Sequence, residues 1–313
     1  MQKLKVIIPE RMNGERLDVA IAEMLPDYSR SKITAKIKSG EALIDSKTFK
    51  PKDKASGKET VFLVFNHKNY THWEAEDISL NIVFEDEDII VINKPFGLVT
   101  HPGAGNWSGT LANALLYHDK NLLKLDRAGI VHRLDKNTSG LMVISKNAKS
   151  QKYLVNQLQV HSVEREYSAI VYGHMISGGT VNEPIGRDSR DRIKQAISNG
   201  GKEAITHYRV IDRYKSHTHV KAILETGRTH QIRVHLSHIG HPLVGDPVYG
   251  GRVRYPKKAA QDLKNALMQF ERQALHSKKL TLTHPSSGET MTWKIDLPDD
   301  MKSLLNILME FDS

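Results

Sequence analysis

The sequence predicts an α+β protein of about two domains, and three observations lead there. Stretches with strand periodicity and stretches with helix periodicity are interspersed without a regular strand–helix alternation. The 313 residues suffice for a sizeable core and, at ~100–200 residues per domain, for about two domains. A polar, mixed stretch at residues 67–76 reads as a linker between residues 1–66 and residues 77–313.

Composition narrows the partners. The net charge is +9 and the isoelectric point is near 9.4, which points to an anionic partner, nucleic acid first. Cysteine is absent, which removes thiolate catalysis, disulfides and Cys-ligated zinc and suits a reducing cytoplasm. No apolar run approaches the ~20 residues of a membrane span. The short apolar start does not resemble a signal peptide, so a cytoplasmic protein is expected.

Residues 1–66 open with two helices. Leu17, Ala20, Ile21, Met24 and Leu25 recur at helical spacing, and Pro26 ends the run. Ser29 is placed to cap a second helix in which Ile33 and Ile37 face inward, and Gly40 closes it. Arg30, Lys32, Lys36 and Lys38 are assigned to its outer side, with no acid between residues 29 and 40. A face of one sign suits phosphate contacts, which supply affinity but little sequence information. Short strands follow at residues 42–44 and 61–65.

The larger domain is expected to begin with a buried strand at residues 88–93, stopped by Pro95. Residues 100–109 are glycine-rich but carry neither GxxxxGK[ST] nor GxGxxG. A helix at 110–117 precedes the densest stretch, residues 129–146, GIVHRLDKNTSGLMVISK. Its end reads as a buried strand, 141–145, fed by a polar loop. There Asp135 lies between Arg133 and Lys136, and positive neighbours favour the carboxylate form. Such an Asp can be a nucleophile, a general base or an ion-pair member.

Further on, a helix at 147–159 and a strand at 166–173 are expected, the strand placing Tyr167, Ala169 and Val171 on one face. Residues 183–201, with Arg187, Arg190, Arg192 and Lys194, read as a mobile basic loop. Strands at 204–211 and 219–225 lead into residues 226–240, TGRTHQIRVHLSHIG. Ile232, Leu236 and Ile239 form its buried helical stripe, leaving His230, Arg233, His235 and His238 as polar positions. No HExxH is present, so no metal site is assigned. A helix at 261–271, a hairpin at 278–283 and 291–295, and a last helix capped by Asp299 or Asp300 complete the chain.

Residues 129–141 resemble the active-site motif of RluA-family pseudouridine synthases, G-x-V-H-R-L-D-x-x-T-S/T-G-L. Asn137 stands where an Asp is common. R-E-Y-S-A-I-V at 165–171, T-G-R-T-H-Q-I-R-V-H at 226–235 and G-H-P-L-V-G-D-P-V-Y-G-G at 240–251 are similar to further segments of the family. The resemblance covers essentially the whole chain. It implies isomerisation of uridine to pseudouridine in RNA, with Asp135 catalytic and with no metal, redox partner or nucleotide cofactor. By the same resemblance Tyr167 stacks on the target base and takes part in proton transfer, and Arg133 holds the flipped nucleotide or its gap. Arg233 pairs with Asp135, Arg228 being a weaker match for that role. The implied catalytic domain has a mixed, mostly antiparallel sheet.

R-L-D at 16–18 and Y-S-R-S-K-I at 28–33 resemble the RNA-binding module named after ribosomal protein S-four. Its hairpin usually reads V-N-G-K, where this chain has Ile44-Asp45-Ser46-Lys47. The partner these resemblances imply is large-subunit (23S) ribosomal RNA or its precursor particle, at the helix 69 stem-loop, bound by a monomer. Action on tRNA and a non-enzymatic role in ribosome assembly are the alternatives.

Overall fold

The computed structural model describes the chain except Met1, Pro26, Asp27, Ser29, Asp45, residues 66–72, Ala104, Arg192, Ser313 and the side chains of Gln2, Lys3, Ser31, Lys32 and Phe65. The expected roles of Pro26 and Ser29, and most of the expected linker, lie outside the described residues. Two units are separated, Met1–His72 and Trp73–Ser313.

The first unit runs β1 (Gln2–Ile7), α1 (Leu17–Met24), α2 (Arg30–Lys38), β2 (Ala42–Ile44) and β3 (Thr60–Phe65). Its strands form an antiparallel sheet of order β1-β3-β2. Leu17, Ala20 and Ile21 of α1 meet Ile33 and Ile37 of α2 in one core with Val6, Val61 and Leu63. Met24, at the end of its helix, is exposed instead. Ile44 and Lys47 exchange backbone hydrogen bonds of 2.9 and 2.8 Å across the turn. Ser46 takes the left-handed conformation there, φ 66°, at a cost of about 1–2 kcal/mol that a glycine avoids.

Two of the basic residues assigned to the outer side of α2 are engaged within the unit. Lys36 is 6 % exposed and donates to Glu41 at 2.8 Å, so its place on the outer face is corrected. The reason is that Gly40 turns the chain back and brings Glu41 within reach, and a buried ammonium requires such a partner. Arg30 is exposed but donates to the buried Asp18 at 3.0 and 3.1 Å, as Arg16 does at 3.0 and 3.2 Å. Asp18 thereby ties α1 to α2, and the Arg16 hydrogen bond first, then Arg30, holds its carboxyl below the usual range. Lys38 is exposed, whereas the Lys32 side chain lies outside the described residues.

The second unit contains β4 (Ile82–Glu85), β5 (Ile89–Lys94), α3 (Leu111–His118), β6 (Ser139–Ser145), α4 (Ala148–Gln159) and β7 (Glu164–Tyr172). It continues through β8 (Gly179–Asn182), β9 (Ile185–Arg187), β10 (Gln195–Ile197), β11 (Ile205–Arg213), β12 (His217–Leu224) and α5 (Gln231–His238). The last elements are α6 (Gln261–Gln269), β13 (Leu275–Thr283), β14 (Thr290–Lys294) and α7 (Asp299–Phe311). The main sheet has the order β4-β5-β6-β13-β7-β12-β11-β8, with β14 beside β13. Its one parallel contact among the described residues is short, His276↔Ser139 and Ser277↔Gly140 of β13 and β6. From Lys279 onward β14 takes that side of β13. The sheet is therefore mixed and mostly antiparallel.

Central strands covered on both faces read as apolar runs rather than alternating ones, which accounts for β5 and β6. In β7 both faces are buried: Tyr167, Ala169 and Val171 enter the core that holds Leu115, Met142 and Leu236. Ile170 and Tyr172 face Leu263 and Leu267 of α6 and Met301, Leu304 and Leu308 of α7. Asn147 and Thr110 cap α4 and α3, accepting from the Ser150 and Asn113 amides.

In the second unit three expectations differ from the structure. Residues 183–201 are not a featureless loop, because β9 and β10 pair as a hairpin. Ile185 and Ile197 hold it against Ala204, Val234 and Tyr249. α5 is buried nearly all round, including Arg233 and His235, rather than along one stripe. In α7 the N-cap is Pro298, and Asp300 instead accepts from Arg272 at 2.6 and 2.8 Å. Among the described residues no helix is long and apolar enough to cross a membrane.

Candidate active site

Asp135 sits in the loop that enters β6, and the surrounding hydrogen bonds fix that loop on both sides of it. Upstream, His132 Nε2 accepts the Val143 amide of β6 at 3.0 Å. Burial, with a smaller contribution from Arg165, drives this imidazole down to about 3, so it is a neutral structural acceptor. The Leu134 carbonyl accepts from the buried Thr100 hydroxyl at 2.7 Å. Downstream, the Thr138 amide donates to the Asp135 carbonyl at 3.0 Å. The Lys136 carbonyl accepts from the Gly97 amide at 2.8 Å and from Lys94 Nζ at 3.2 Å. Lys94 also donates to the Pro95 and Leu98 carbonyls. Burial pulls its pKa down to about 7, and the three carbonyls match the three donors of the protonated form.

Glycine is required at two points of this loop. A Cβ on Gly129 would lie 2.1 Å from the Ser145 carbonyl oxygen, and one on Gly140 would lie 2.3 Å from that of Ser277. Both also adopt positive φ, 78° and 115°. Gly140 stands where β6 and β13 make their brief parallel contact, so the T-S-G-L of the motif is a packing requirement of the strand that carries the loop.

Opposite Asp135 lies Arg233 of α5, whose Nη1 donates to Asp135 Oδ2 at 2.8 Å. The other side of the guanidinium is forked onto Asp246: Nε to Oδ2 at 2.7 Å and Nη2 to Oδ1 at 2.9 Å. Asp246 is buried and further accepts the Val248 and Tyr249 amides at 2.8 and 3.0 Å. Burial opposes both charges. The two carboxylates nevertheless hold Arg233 more firmly protonated than usual, and Arg233 holds the Asp246 carboxyl below its ordinary value. Such charge-assisted, two-pronged bonds define direction as well as energy. The guanidinium also lies 5.0 Å over the Tyr249 ring.

Tyr249 connects this pair to His230, the left-handed N-cap of α5, φ 59°. The Tyr249 hydroxyl accepts the Gln195 amide at 2.9 Å and lies 2.8 Å from His230 Nδ1. It is therefore free to donate to Nδ1, which leaves the imidazole proton on Nε2, 3.9 Å from Asp135 Oδ2. Burial lowers the His230 pKa, with Asp135 opposing. The ring is thus a neutral neighbour of Asp135 near pH 7.

The turn before α5 is fixed by Gln231. Its Oε1 accepts from the Thr226 hydroxyl and the Arg228 amide, and its Nε2 donates to the Ile205 carbonyl and the Thr206 hydroxyl. His235 is spent on Thr206 Oγ1 and the Glu183 carbonyl.

These residues line a cleft of about 480 Å³. Asp135, Arg133, Tyr167 and Arg233, all expected from sequence, are brought to it together. Tyr167 forms part of its wall. Burial raises the phenol pKa, while Arg165 and a hydrogen bond with Ser277 oppose this. Arg133 is exposed, and the carboxylate partner observed for Asp135 is Arg233, not Arg133. Arg228 lines the cleft but directs its Nε to the Glu203 carbonyl. Asp246, Tyr249 and His230 were not assigned roles from sequence. The signal was present in G-H-P-L-V-G-D-P-V-Y-G-G, where a buried arginine that must hold one carboxylate in place needs a second.

Known proteins share this arrangement of elements. Residues 88–238 match the family described as RNA pseudouridylate synthase. The Pseudomonas aeruginosa protein named ribosomal large subunit pseudouridine synthase D is 50 % identical over 303 residues, 97 % of this chain and 95 % of that one. The protein of the same name from Escherichia coli K12 is 50 % identical over 307 residues, 98 % and 94 % of the two chains. The solved structure of human RNA pseudouridylate synthase domain containing 4 superposes with a TM-score of 0.57 at 27 % identity, covering 73 % of this chain and 93 % of its own. Half-identity along nearly the full length places this chain in the RluA family of RNA pseudouridine synthases, isomerases that convert uridine to pseudouridine.

Proposed function

We propose that this synthase acts on large-subunit (23S) ribosomal RNA, at uridines of the helix 69 stem-loop, with Asp135 as the reacting carboxylate. The observation that carries this reading is the charge of the cleft. Five arginines line it, Arg127, Arg133, Arg165, Arg228 and Arg233, and Asp135 is the one acid among its lining residues. Such a surface attracts phosphate-rich RNA and presents a single carboxylate to it. The relatives of half-identity named for the large ribosomal subunit support that choice of RNA.

Isomerisation breaks the bond between uracil N1 and ribose C1′ and forms one between C5 and C1′. The C5 hydrogen leaves as a proton and N1 gains one, so nothing is oxidised or reduced. A base in a folded stem must first leave its stack, at a cost of a few kcal/mol. Arg133, at the exposed lip, holds the flipped nucleotide or fills its gap. Tyr167 offers its ring to the base, and with its pKa raised by burial the hydroxyl enters the reaction protonated. Asp135 acts at the ribose, oriented by Arg233, which Asp246 keeps in place.

Within the first unit, residues 1–66 serve as an RNA-binding module of the ribosomal-protein-S-four type, and residues 67–76 link it to a catalytic domain at 77–313. Two short helices on a small antiparallel sheet support this assignment. Lys38, with Arg30 and Lys32, contacts phosphate. The enzyme works as a cytoplasmic monomer.

Carbodiimide–primer-extension mapping tests the reading on unmodified large-subunit RNA or its precursor particle, and in parallel on unmodified tRNA. New stops in large-subunit RNA with the wild type, absent with Asp135→Asn, are expected. Stops confined to tRNA would reassign the substrate, and binding without stops in either RNA would favour an assembly role.

A further inference from the structure

Arg165 is a buried cation in the cleft with an incomplete set of partners. It precedes Tyr167 by two residues on β7 and therefore shares its face. It is 5 % exposed. Its Nη2 donates to the Glu225 carbonyl at 2.9 Å and to the Leu224 carbonyl at 3.4 Å, while its buried Nε has no partner. The guanidinium presses on the turn before α5, where a Cβ on Gly227 would lie 2.7 Å from Nη1. Among the described residues no carboxylate bonds it, unlike the buried Arg233 and Arg272, which are paired with Asp246 and Asp300. The cleft it lines also carries Arg127, Gln159, His161, Gly227 and Arg228, and its one acid, Asp135, is paired with Arg233. Burial lowers its pKa, the direction for a cation short of a counter-charge.

An ionised side chain out of water is costly unless paired, and two carbonyls answer only part of that cost. A neutral uracil carbonyl could satisfy Nε but would leave the charge unmatched. The anion that RNA brings to every nucleotide is a phosphodiester. We propose that Arg165 holds the backbone phosphate next to the flipped uridine, with Arg127 and Arg228 lining the same cleft. This contact fixes the ribose relative to Asp135, so Arg165 is a substrate-positioning residue. The inference rests on RNA being turned over at Asp135.

The test uses the full-length enzyme and an RNA hairpin containing the mapped uridines. Two further hairpins each replace one phosphate flanking the target uridine with an uncharged methylphosphonate. For the wild type, one of the two replacements is expected to lower kcat/KM by about 10- to 100-fold, the size of a charged hydrogen bond. Arg165→Met should lose a similar factor on the unmodified hairpin and lose little more on that methylphosphonate. It should also flatten the salt dependence of binding by about one phosphate contact, with Arg165→Lys recovering part of both. A wild type that is active and indifferent to both replacements overturns the inference, whatever the variants do. So do losses from Arg165→Met and methylphosphonate that multiply at both positions. Asp135→Asn is assayed beside them, and its activity on the unmodified hairpin would overturn the Asp135 reading and this one together.

Discussion

Each unit holds a three-membered array of arginines and carboxylates, and these two arrays invert each other. In the first unit the anion is buried: the Asp18 side chain is 4 % exposed, between Arg16 at 45 % and Arg30 at 52 %. In the second the cation is buried: the Arg233 side chain is 5 % exposed, between Asp246 at 0 % and Asp135 at 16 %. A buried ion needs its partners and cannot leave them, whereas an exposed member can exchange its partner for water or a ligand. The first array therefore ties two helices together and turns cations outward. The second turns a carboxylate toward the cleft, at the end of a chain of contacts that begins in the core.

The largest effects fall on the second array. Asp135→Asn is expected to lower turnover by at least about 10⁴-fold, as for other groups that react directly. RNA affinity and melting temperature should stay near wild type, since a neutral amide of the same size still fits beside Arg233; single-turnover assays and binding isotherms check both. Next comes Asp246→Asn. It leaves a buried guanidinium half-matched, at a cost of about 3–5 kcal/mol in stability. The loss of position at Asp135 should lower the rate about 10²-fold, read from denaturant titration and single-turnover kinetics. A variant that loses stability but keeps its rate would break the proposed link between core and cleft.

Acid separates the two units in a different way. His132 has a pKa of about 3 in the fold and 6.5 as its ordinary value. The unfolded chain therefore binds more protons between those values. The stability this residue contributes is complete above pH 6.5 and is lost as pH falls toward 3, up to about 5 kcal/mol in all. The described part of the first unit contains no histidine. Its Asp18 array contributes above the ordinary carboxylate value of 3.8 and weakens only below it. Melting curves against pH should show the second unit weakening first. The smallest effect is expected at Lys38→Ala, which reduces the salt slope of RNA binding by about one. Lys36→Ala should leave that slope unchanged and reduce the stability of the first unit, because its charge is spent on Glu41.

How much of this is legible in the sequence follows from the range of each interaction. The inward faces of α1 and α2 are visible in spacing alone, because Ile33 and Ile37 lie one helical turn apart. The loop of Asp135 stands out as a string, since Gly129, His132 and the Thr138 amide serve contacts within one short segment and β6. By contrast, periodicity does not say which polar residue of a helix finds a partner beyond it, which is why Lys36 reads as outward. Arg233 and Asp246 come from separate elements and meet only in the fold, so the second carboxylate goes unassigned although its segment is recognisable. The β9–β10 hairpin is hidden because its strands are three residues each, and its burial depends on Ala204 and Val234 beyond it.

The measurement that bears most directly on the central claim is a single-turnover time course of pseudouridine formation for wild type, Asp135→Asn and Asp246→Asn on the same large-subunit RNA. The account predicts a descending order: full rate for the wild type, a rate about 10²-fold lower for Asp246→Asn, and none measurable for Asp135→Asn with RNA still bound. Near wild-type turnover by Asp135→Asn would contradict it, because the carboxylate that the whole array presents to the cleft would then not be the one that reacts.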